Sequence, residues 1–192
     1  MKLAQLSKKE AILEAALKLF AERGFDATTM PMISELAGVG AGTIYRYFES
    51  KEVLLNVLIV ESLQAFAEAL NQTGTGQRTT VREEFHLLFT GLFQFGKHRP
   101  NRLQLICSNA NELYLDERSR EEVTTFLSQI LATISWGQEQ GVIRKMPANA
   151  LIAIVLGAFF QVSDAFRKGL LEESKELLDE IEDCCWNAVR IH

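Results

Sequence analysis

Apolar residues recur every three to four positions along almost the whole chain, and this is the period of an amphipathic α-helix. A capping box at Ser7 and Glu10 begins the first helix, and Gly24 ends it. The buried stripe of this helix consists of Ile12, Ala15, Ala16, Leu19 and Phe20. Further stripes of the same kind predict about nine helices. The alternation typical of β-strands is not found, so the pattern predicts an all-α fold.

Capping residues and helix breakers predict where the other helices begin and end. Thr28 or Thr29 caps a short second helix that ends near Ala37, and Ser50 caps a fourth that ends near Leu70. For the later part of the chain we expect a loop at residues 72–77 and a sixth helix over 103–110. A capping box at Ser119 and Glu122 begins the seventh helix, and Gly141 ends it. Pro147 begins the eighth helix, and Ser174 caps the ninth.

Two short helices joined by a three-residue turn occupy residues 29–47, and Gly38-Val39-Gly40 forms the turn. Such a unit is a helix-turn-helix, whose second helix enters the major groove of DNA. Gly38 allows the sharp backbone turn, and Ser34 is small enough for the two helices to cross closely. The apolar sites predicted to lock the helices together are Ile33, Ala37, Val39, Ile44 and Tyr47.

The DNA contacts are predicted on the second helix of this unit, residues 41–47, on the face opposite the apolar sites. Its small first residues let the backbone approach DNA, and Arg46 is the one long donor. Arg46 is suited to a bidentate contact with guanine, and a phosphate contact is an equal alternative. Tyr45, Tyr47 and Lys51 are placed to hydrogen-bond phosphates. The predicted DNA-binding residues are Thr29, Ala41, Gly42, Thr43, Tyr45, Arg46, Tyr47 and Lys51.

The formal charge of −5 neither predicts nor excludes DNA binding. Phosphate contacts act within a Debye length of ~8–10 Å, so a local basic surface is sufficient. Residues 1–51 hold seven Lys or Arg against six acidic residues, and the rest of the chain carries the acidic surplus.

The remaining composition favours a cytoplasmic protein. An odd count of three cysteines indicates reduced thiols, and the adjacent Cys184 and Cys185 form a disulfide poorly, so we expect them to pack as small apolar residues. The polar first residues predict no signal peptide. The longest apolar stretch, residues 148–162, is shorter than the ~20 residues of a membrane span. No zinc-type spacing occurs, and we expect no cofactor, no metal and no membrane contact.

The segment from Ala11 to Glu52 resembles the DNA-binding domain of the TetR family. The resemblance is carried by residues 11–13, 19–25, 27–29, 37–48 and 51–52. Ser34 and Gly40 stand where the family often has Ala and Ser, and both remain small. The resemblance implies a three-helix DNA-binding domain at residues 1–52. It also implies an effector-binding and dimerisation domain at residues 53–192, with helices eight and nine at the dimer interface.

Helix five is apolar on more than one side, which indicates either a buried helix or a helix that lines a cavity. The residues alone leave both possibilities open, and the family resemblance favours a ligand cavity more than the residues do. Pockets of this kind are mostly apolar with a few polar groups. The candidate ligand-binding residues are His86, Phe89, Phe93, Ile106, Asn109, Ala110, Tyr114, Phe126, Ile130, Phe159 and Gln161.

Helices eight and nine carry the surface expected to pair two copies of the chain. The apolar residues of this surface are Ile152, Leu156, Phe159, Phe166, Leu178, Ile181 and Cys185. Pairing of one patch with itself gives a two-fold symmetric homodimer, which binds a near-palindromic site on double-stranded DNA.

The sequence therefore predicts a DNA-binding transcriptional regulator, most simply a repressor that an unidentified small apolar or aromatic effector releases from its operator. A DNA-binding co-regulator that needs no ligand is the alternative. An enzyme is not expected, because the chain has no nucleophile elbow, no Gly-rich phosphate loop and no plausible triad.

Overall fold

Nine α-helices and one short 3₁₀ helix make up most of the described chain. The computed structural model describes residues 7–73 and 80–191, and side-chain environments are described for these residues except 71–73 and 109–111. The elements are α1 (Lys8–Arg23), α2 (Met30–Leu36), α3 (Ala41–Tyr47), α4 (Lys51–Thr73), α5 (Val81–His98), α6 (Pro100–Ile106), the 3₁₀ helix (Asn109–Tyr114), α7 (Glu117–Glu139), α8 (Ala148–Arg167) and α9 (Lys175–Val189). The all-α fold is confirmed.

Most helix ends lie where the capping residues predict them. In the capping box of α1, the backbone N–H of Glu10 donates to Ser7 Oγ over 3.2 Å, and the Ser7 N–H donates to the Glu10 carboxylate over 2.8 Å. Thr29 caps α2 and Ser174 caps α9 through their hydroxyl oxygens. Gly24 ends α1 with φ +80°, a region that favours glycine.

Three boundaries differ from the prediction. The sixth helix is shorter than predicted and is followed by a separate 3₁₀ helix, so residues 103–110 do not form one element. The capping box predicted at Ser119 is wrong, because Asp116 Oδ1 accepts the Ser119 N–H over 2.8 Å and α7 already begins at Glu117. Helix α4 continues to Thr73, so residues 72 and 73 are helical rather than part of the predicted loop, and residues 74–77 lie outside the described part.

The chain divides into two compact units. The first comprises the described residues of Met1–Glu68 with Phe95–Thr125, and the second those of Ala69–Gln94 with Phe126–His192. In the first unit, α1 packs against α2 and α6, and the most buried apolar side chains are Ile12, Ile33, Ile44, Leu54, Leu55, Leu58 and Leu103. The unit boundaries fall within α4, α5 and α7. The predicted division after residue 52 stays a prediction.

The second unit has a core of Val81, Ile143, Leu151, Trp186 and Val189. One edge of this core is closed by backbone pairing between the turn before α8 and the residues after α9. The Arg144 N–H donates to Val189 O over 2.9 Å, and the Ile191 N–H donates to Val142 O over 2.8 Å. This isolated bridge between Ile143 and Arg190 holds residues 142–144 of the α7–α8 connection against the end of α9.

The adjacent cysteines point to different environments. Cys185 is 5% exposed within the core of the second unit, whereas Cys184 is exposed. This placement agrees with the predicted packing role for Cys185, whereas the prediction is wrong for Cys184, because its side chain faces solvent. Cys107 lies in the first unit, where burial raises the pKa of its thiol to about 11.

Among the described residues, two helices are long and apolar enough to cross a bilayer by length and composition alone: residues Lys51–Leu70 of α4 and the whole of α8. The prediction that the α8 stretch is too short is wrong, because the helix continues past Gln161 to Arg167. A core helix of a globular protein passes the same test, so this observation alone is weak evidence for a span. Within the chain, only 11% of the α8 stretch is buried.

Candidate nucleic-acid interface

Helices α2 and α3 form a helix-turn-helix whose inner face is closed by two isoleucines. Ile33 of α2 is fully buried, and Ile44 of α3 is 1% exposed. The turn between the helices depends on Gly38, whose φ of +65° strains any residue with a Cβ. Ser34 is buried and donates its hydroxyl to Pro31 O over 2.9 Å, so this small polar residue lies at the crossing without an unpaired hydroxyl.

The outer face of α3 presents the side chains predicted to contact DNA. Ala41, Gly42 and Arg46 are exposed and Thr43 is half-buried. Tyr45 is 54% exposed and Tyr47 is 43% exposed. Tyr47 therefore does not lock the two helices as predicted. Phe48, which is 3% exposed, completes the packing because it follows α3 in extended backbone and turns its ring inward.

Two further predicted DNA contacts have partners within the protein. The Thr29 hydroxyl accepts the Met32 N–H over 3.4 Å as the cap of α2. The Lys51 ammonium donates to Phe25 O over 2.9 Å and to Thr28 O over 3.1 Å, and it lies 4.1 Å from the centre of the Phe25 ring. Lys51 thus ties the first turn of α4 to the loop between α1 and α2.

A cleft of about 330 Å³ adjoins this face and is lined by residues 28–31, Tyr45 and residues 49–52. Its lining carries both signs of charge, since Lys51 lies between Glu49 and Glu52 in the sequence. A hydrogen bond with Ser50 lowers the pKa of Glu52, so this carboxylate is ionised at neutral pH. The cleft is therefore a polar recess beside the recognition helix.

The loop that Lys51 holds is also fixed from the 3₁₀ helix. The Tyr114 hydroxyl donates to Asp26 Oδ1 over 2.5 Å, which raises the pKa of Tyr114, and its ring centre lies 4.1 Å from that of Phe25. Asn56 of α4 is 7% exposed. Its amide donates to Tyr114 O over 3.0 Å and accepts the Asp116 N–H over 2.9 Å. Tyr114, predicted as a ligand anchor, thus has partners beside the helix-turn-helix.

Three predicted ligand-binding aromatics meet in the second unit. The ring centres of Phe89 and Phe93 are 4.8 Å apart, and Phe93 meets Phe159 edge-on at 4.8 Å. Phe89 and Phe159 are almost fully buried, and Phe93 is half-buried. Phe85 extends the row from Phe89 to Trp186 of α9. The aromatic rings predicted to surround a ligand are therefore in contact with one another.

The other predicted ligand-binding residues are spread over both units. His86 is exposed, and its Nδ1 lies 2.8 Å from the buried Glu182 carboxylate, which also pairs with Arg82. In the second unit, Phe126 and Ile130 of α7 are half-buried and Gln161 of α8 is exposed. In the first unit, Ile106 is half-buried at the end of α6, and the side chains of Asn109 and Ala110 lie outside the described part. The ligand-binding role of all these residues stays a prediction.

Sequence reasoning missed the polar residues that brace the DNA-binding helices. Besides Asn56 and Asp26, Gln104 of α6 donates to Ala21 O of α1 over 2.9 Å. Only Asn56 left a signal in the sequence, since it is a polar residue between the fully buried Leu55 and Leu58. A buried amide needs hydrogen-bond partners, but the pattern of α4 does not reveal which distant segment supplies them.

Comparison with known proteins places both parts of the chain in one family. Residues 12–58 match the model for bacterial regulatory proteins of the tetR family, and residues 59–191 match the tetracyclin repressor-like C-terminal domain. The HTH-type transcriptional regulator YhgD of Bacillus subtilis (strain 168) is 30% identical over 145 residues, covering 72% of this chain and 73% of that protein.

Two further similarities also extend over most of the chain. The fatty acid metabolism regulator protein of B. subtilis (strain 168) is 26% identical over 136 residues, or 70% of each chain. The crystal structure of a TetR family transcription regulator from Marinobacter aquaeolei VT8 has the same fold, with a TM-score of 0.80, 24% identity and 96% of each chain covered. The matched proteins are regulators of transcription rather than enzymes. The chain belongs to the TetR family of DNA-binding helix-turn-helix transcriptional regulators.

Proposed function

We propose that this cytoplasmic protein is a homodimeric repressor whose α3 helices bind a near-palindromic operator and whose second unit binds a small apolar or aromatic effector. The observation that carries the proposal is the outer face of α3. It exposes small residues at its start, one arginine and two tyrosines, while Ile44 anchors the helix from behind. This arrangement suits a helix that enters the major groove.

On this face we assign base recognition to Arg46, because it is exposed and its guanidinium can donate two parallel bonds to guanine. The tyrosine hydroxyls of Tyr45 and Tyr47 are suited to phosphates, and Ala41 and Gly42 permit a close approach of the backbone. A Cβ at Gly42 would meet nothing within 4 Å, so this part of α3 is open toward a ligand as large as DNA.

We assign Lys51 a positioning role in DNA binding. Its ammonium has two carbonyl partners and an aromatic ring within the protein. A phosphate contact would compete with these bonds. The same bonds hold the loop that joins α1 to α2. Lys51 therefore fixes the position of the helix-turn-helix relative to α1.

We assign dimerisation chiefly to α8, because its exposed face is largely apolar and includes the small residues Ala153 and Gly157. Ala153, Ile154, Gly157 and Gln161 lie on one side of the helix and are exposed. Small residues allow a second helix to approach closely, and such a partner would cover the apolar face. The exposed side of α9 carries Glu176, Asp179, Glu180 and Asp183, which would repel their own copies, and Cys185 is already buried within the protomer.

The effector site is proposed around the half-buried Phe93, with Phe126 and Ile130 as further apolar wall. Two observations support an apolar ligand. The aromatic row of α5 offers surface to hydrocarbon and aromatic groups, and one relative is a regulator of fatty acid metabolism. The effector would bind more tightly to the dimer state that fits the operator poorly. Operator binding then weakens by the difference between the effector's affinities for the two dimer states.

Replacing Arg46 by Ala tests the recognition surface. Operators are first selected from random DNA with the wild-type protein, and affinities are then measured for both proteins. We expect Arg46→Ala to cost about 1–3 kcal/mol of binding free energy and to relax the preference at one base pair per half-site. Arg118→Ala, an exposed change on α7, should bind as the wild type does. Uniform weakening with every preference retained would show a phosphate contact instead.

Replacing Lys51 by Met separates positioning from phosphate binding. The change retains the apolar stem and removes the bonds to Phe25 O and Thr28 O, so we expect the free energy of unfolding in urea to fall by about 1–3 kcal/mol. The slope of log affinity against log salt should stay at the wild-type value. A protein of unchanged stability whose salt slope falls by about one would instead identify Lys51 as a direct phosphate ligand.

Replacing Ile154 by Glu tests the dimer surface, since it places a negative charge in the apolar face that the proposed dimer would bury. We expect a dissociation constant of the dimer at least about tenfold higher in sedimentation experiments, with loss of binding to the full palindrome. Ile154→Val should dimerise normally. Because Ile154 is 39% exposed, the helical circular dichroism should be retained in both variants. Equal dimerisation of both variants would contradict the assignment.

Replacing Phe93 by Ala tests the effector site. Long-chain fatty acids, their thioesters and aromatic hydrocarbons are screened for a rise in melting temperature and for operator release. We expect Phe93→Ala to weaken the response to active compounds without changing operator affinity in their absence, and Leu127→Ala on the exposed side of α7 to leave it unchanged. Loss of about 3–5 kcal/mol of stability, in a protein that no compound affects, would identify a dry core and favour the ligand-independent co-regulator.

A further inference from the structure

A polar cleft of about 450 Å³ lies in the first unit between α1 and the turn that joins α5 to α6. Glu14 and Leu17 of α1 line one side, and residues 98–102 line the other. The cleft is open to solvent and large enough to admit a small ion or molecule. The cleft contains none of the residues predicted to bind DNA or the apolar effector.

Arg102 reaches this cleft with a guanidinium that its neighbours hold only loosely. The side chain is 19% exposed. Its nearest oxygens are Ser62 Oγ at 3.4 Å, Glu61 Oε2 at 3.5 Å and Glu14 Oε1 at 3.9 Å. A guanidinium has five N–H donors, and charge-assisted bonds to oxygen are usually about 2.7–2.9 Å long. Arg102 is therefore a largely buried cation whose three contacts are all long.

Arg99 adds a second positive charge to the lining. Its guanidinium carbon lies 5.9 Å from the centre of the Phe95 ring, and no carboxylate of the described residues forms an ion pair with it. Its neighbour His98 is exposed and also lines the cleft. The lining thus combines two arginines and an imidazole, which are the groups that proteins use to bind carboxylates and phosphates.

Glu14 is the one carboxylate in the lining, and its hold on Arg102 is weak. Its side chain is 58% exposed, and an ion pair of 3.9 Å between partly exposed groups contributes little. An oxyanion in the cleft would bond Arg102 at a shorter distance, while Glu14 turns toward solvent.

We propose that this cleft binds a small molecule through a carboxylate or phosphate group, with Arg102 and Arg99 as its ligands. The site is distinct from the apolar effector site proposed above. It includes residues of α1, the helix that packs directly on α2, and so it lies in the same unit as the DNA-binding surface.

Titration of the full chain with inorganic phosphate and, separately, with succinate tests the site, using calorimetry and amide NMR shifts at constant ionic strength. Because no DNA is present, the result is independent of operator binding. We expect saturable binding of at least one of the two anions at one site per chain, and the anion that binds identifies the group recognised. Shifts that grow linearly for both anions would overturn the proposal.

Variants then locate the site. Arg102→Gln and Arg99→Gln should each weaken binding by at least about tenfold, whereas Arg120→Gln, an exposed change on α7 in the same unit, should leave it unchanged. Arg99 is exposed, so its variant remains informative if Arg102→Gln does not fold. Glu14→Gln should tighten binding several-fold, because it removes the competing carboxylate. Equal affinity in both arginine variants, or weaker binding in Glu14→Gln, would overturn the assignment.

Discussion

The packing of Phe25 is the contact on which the DNA-binding unit depends. Its ring, 5% exposed, meets Phe20 of α1 at 5.5 Å and Tyr114 at 4.1 Å, and it lies under the Lys51 ammonium. Its carbonyl accepts a hydrogen bond from the same ammonium. One loop residue thus joins α1, the first turn of α4 and the 3₁₀ helix. Since α2 begins a few residues later, these contacts hold the helix-turn-helix in place from behind the exposed face of α3.

These contacts explain why the two sides of the helix-turn-helix differ in composition. The back of the unit is buried and apolar, and polar side chains such as Asn56 pair there with backbone groups of other segments. The front of α3 is left with exposed residues that have little packing role. Residues such as Arg46 can therefore differ between related regulators without a large cost in stability, whereas Ile33 and Ile44 can change little. An acidic protein can bind DNA in this way because the interaction is local.

The sequence predicts what depends on neighbouring residues and fails where partners are distant. The caps at Ser7 and Ser174 and the turn at Gly38 are local, and the structure has them where the pattern indicates. The ligand-binding role of Tyr114 and His86 stays a prediction, but the sequence does not show which residues they contact within the protein. Their partners are 88 and 96 residues away, and no periodicity records contacts of that separation. The arginine-lined cleft was missed for the same reason.

The backbone pairing between residues 142–144 and 189–191 has a consequence for the order in which the protein is built. Arg144 and Arg190 are 46 residues apart, so a ribosome completes the α7–α8 turn well before the segment that pairs with it has been made. Until then, Ile143 has no cover from Val189, and the core of the second unit cannot close. The first unit also depends on distant contacts, such as that of Tyr114 with Asp26 over 88 residues, but all its segments precede residue 126. The DNA-binding unit can therefore complete its contacts while the second unit still waits for the residues that end α9.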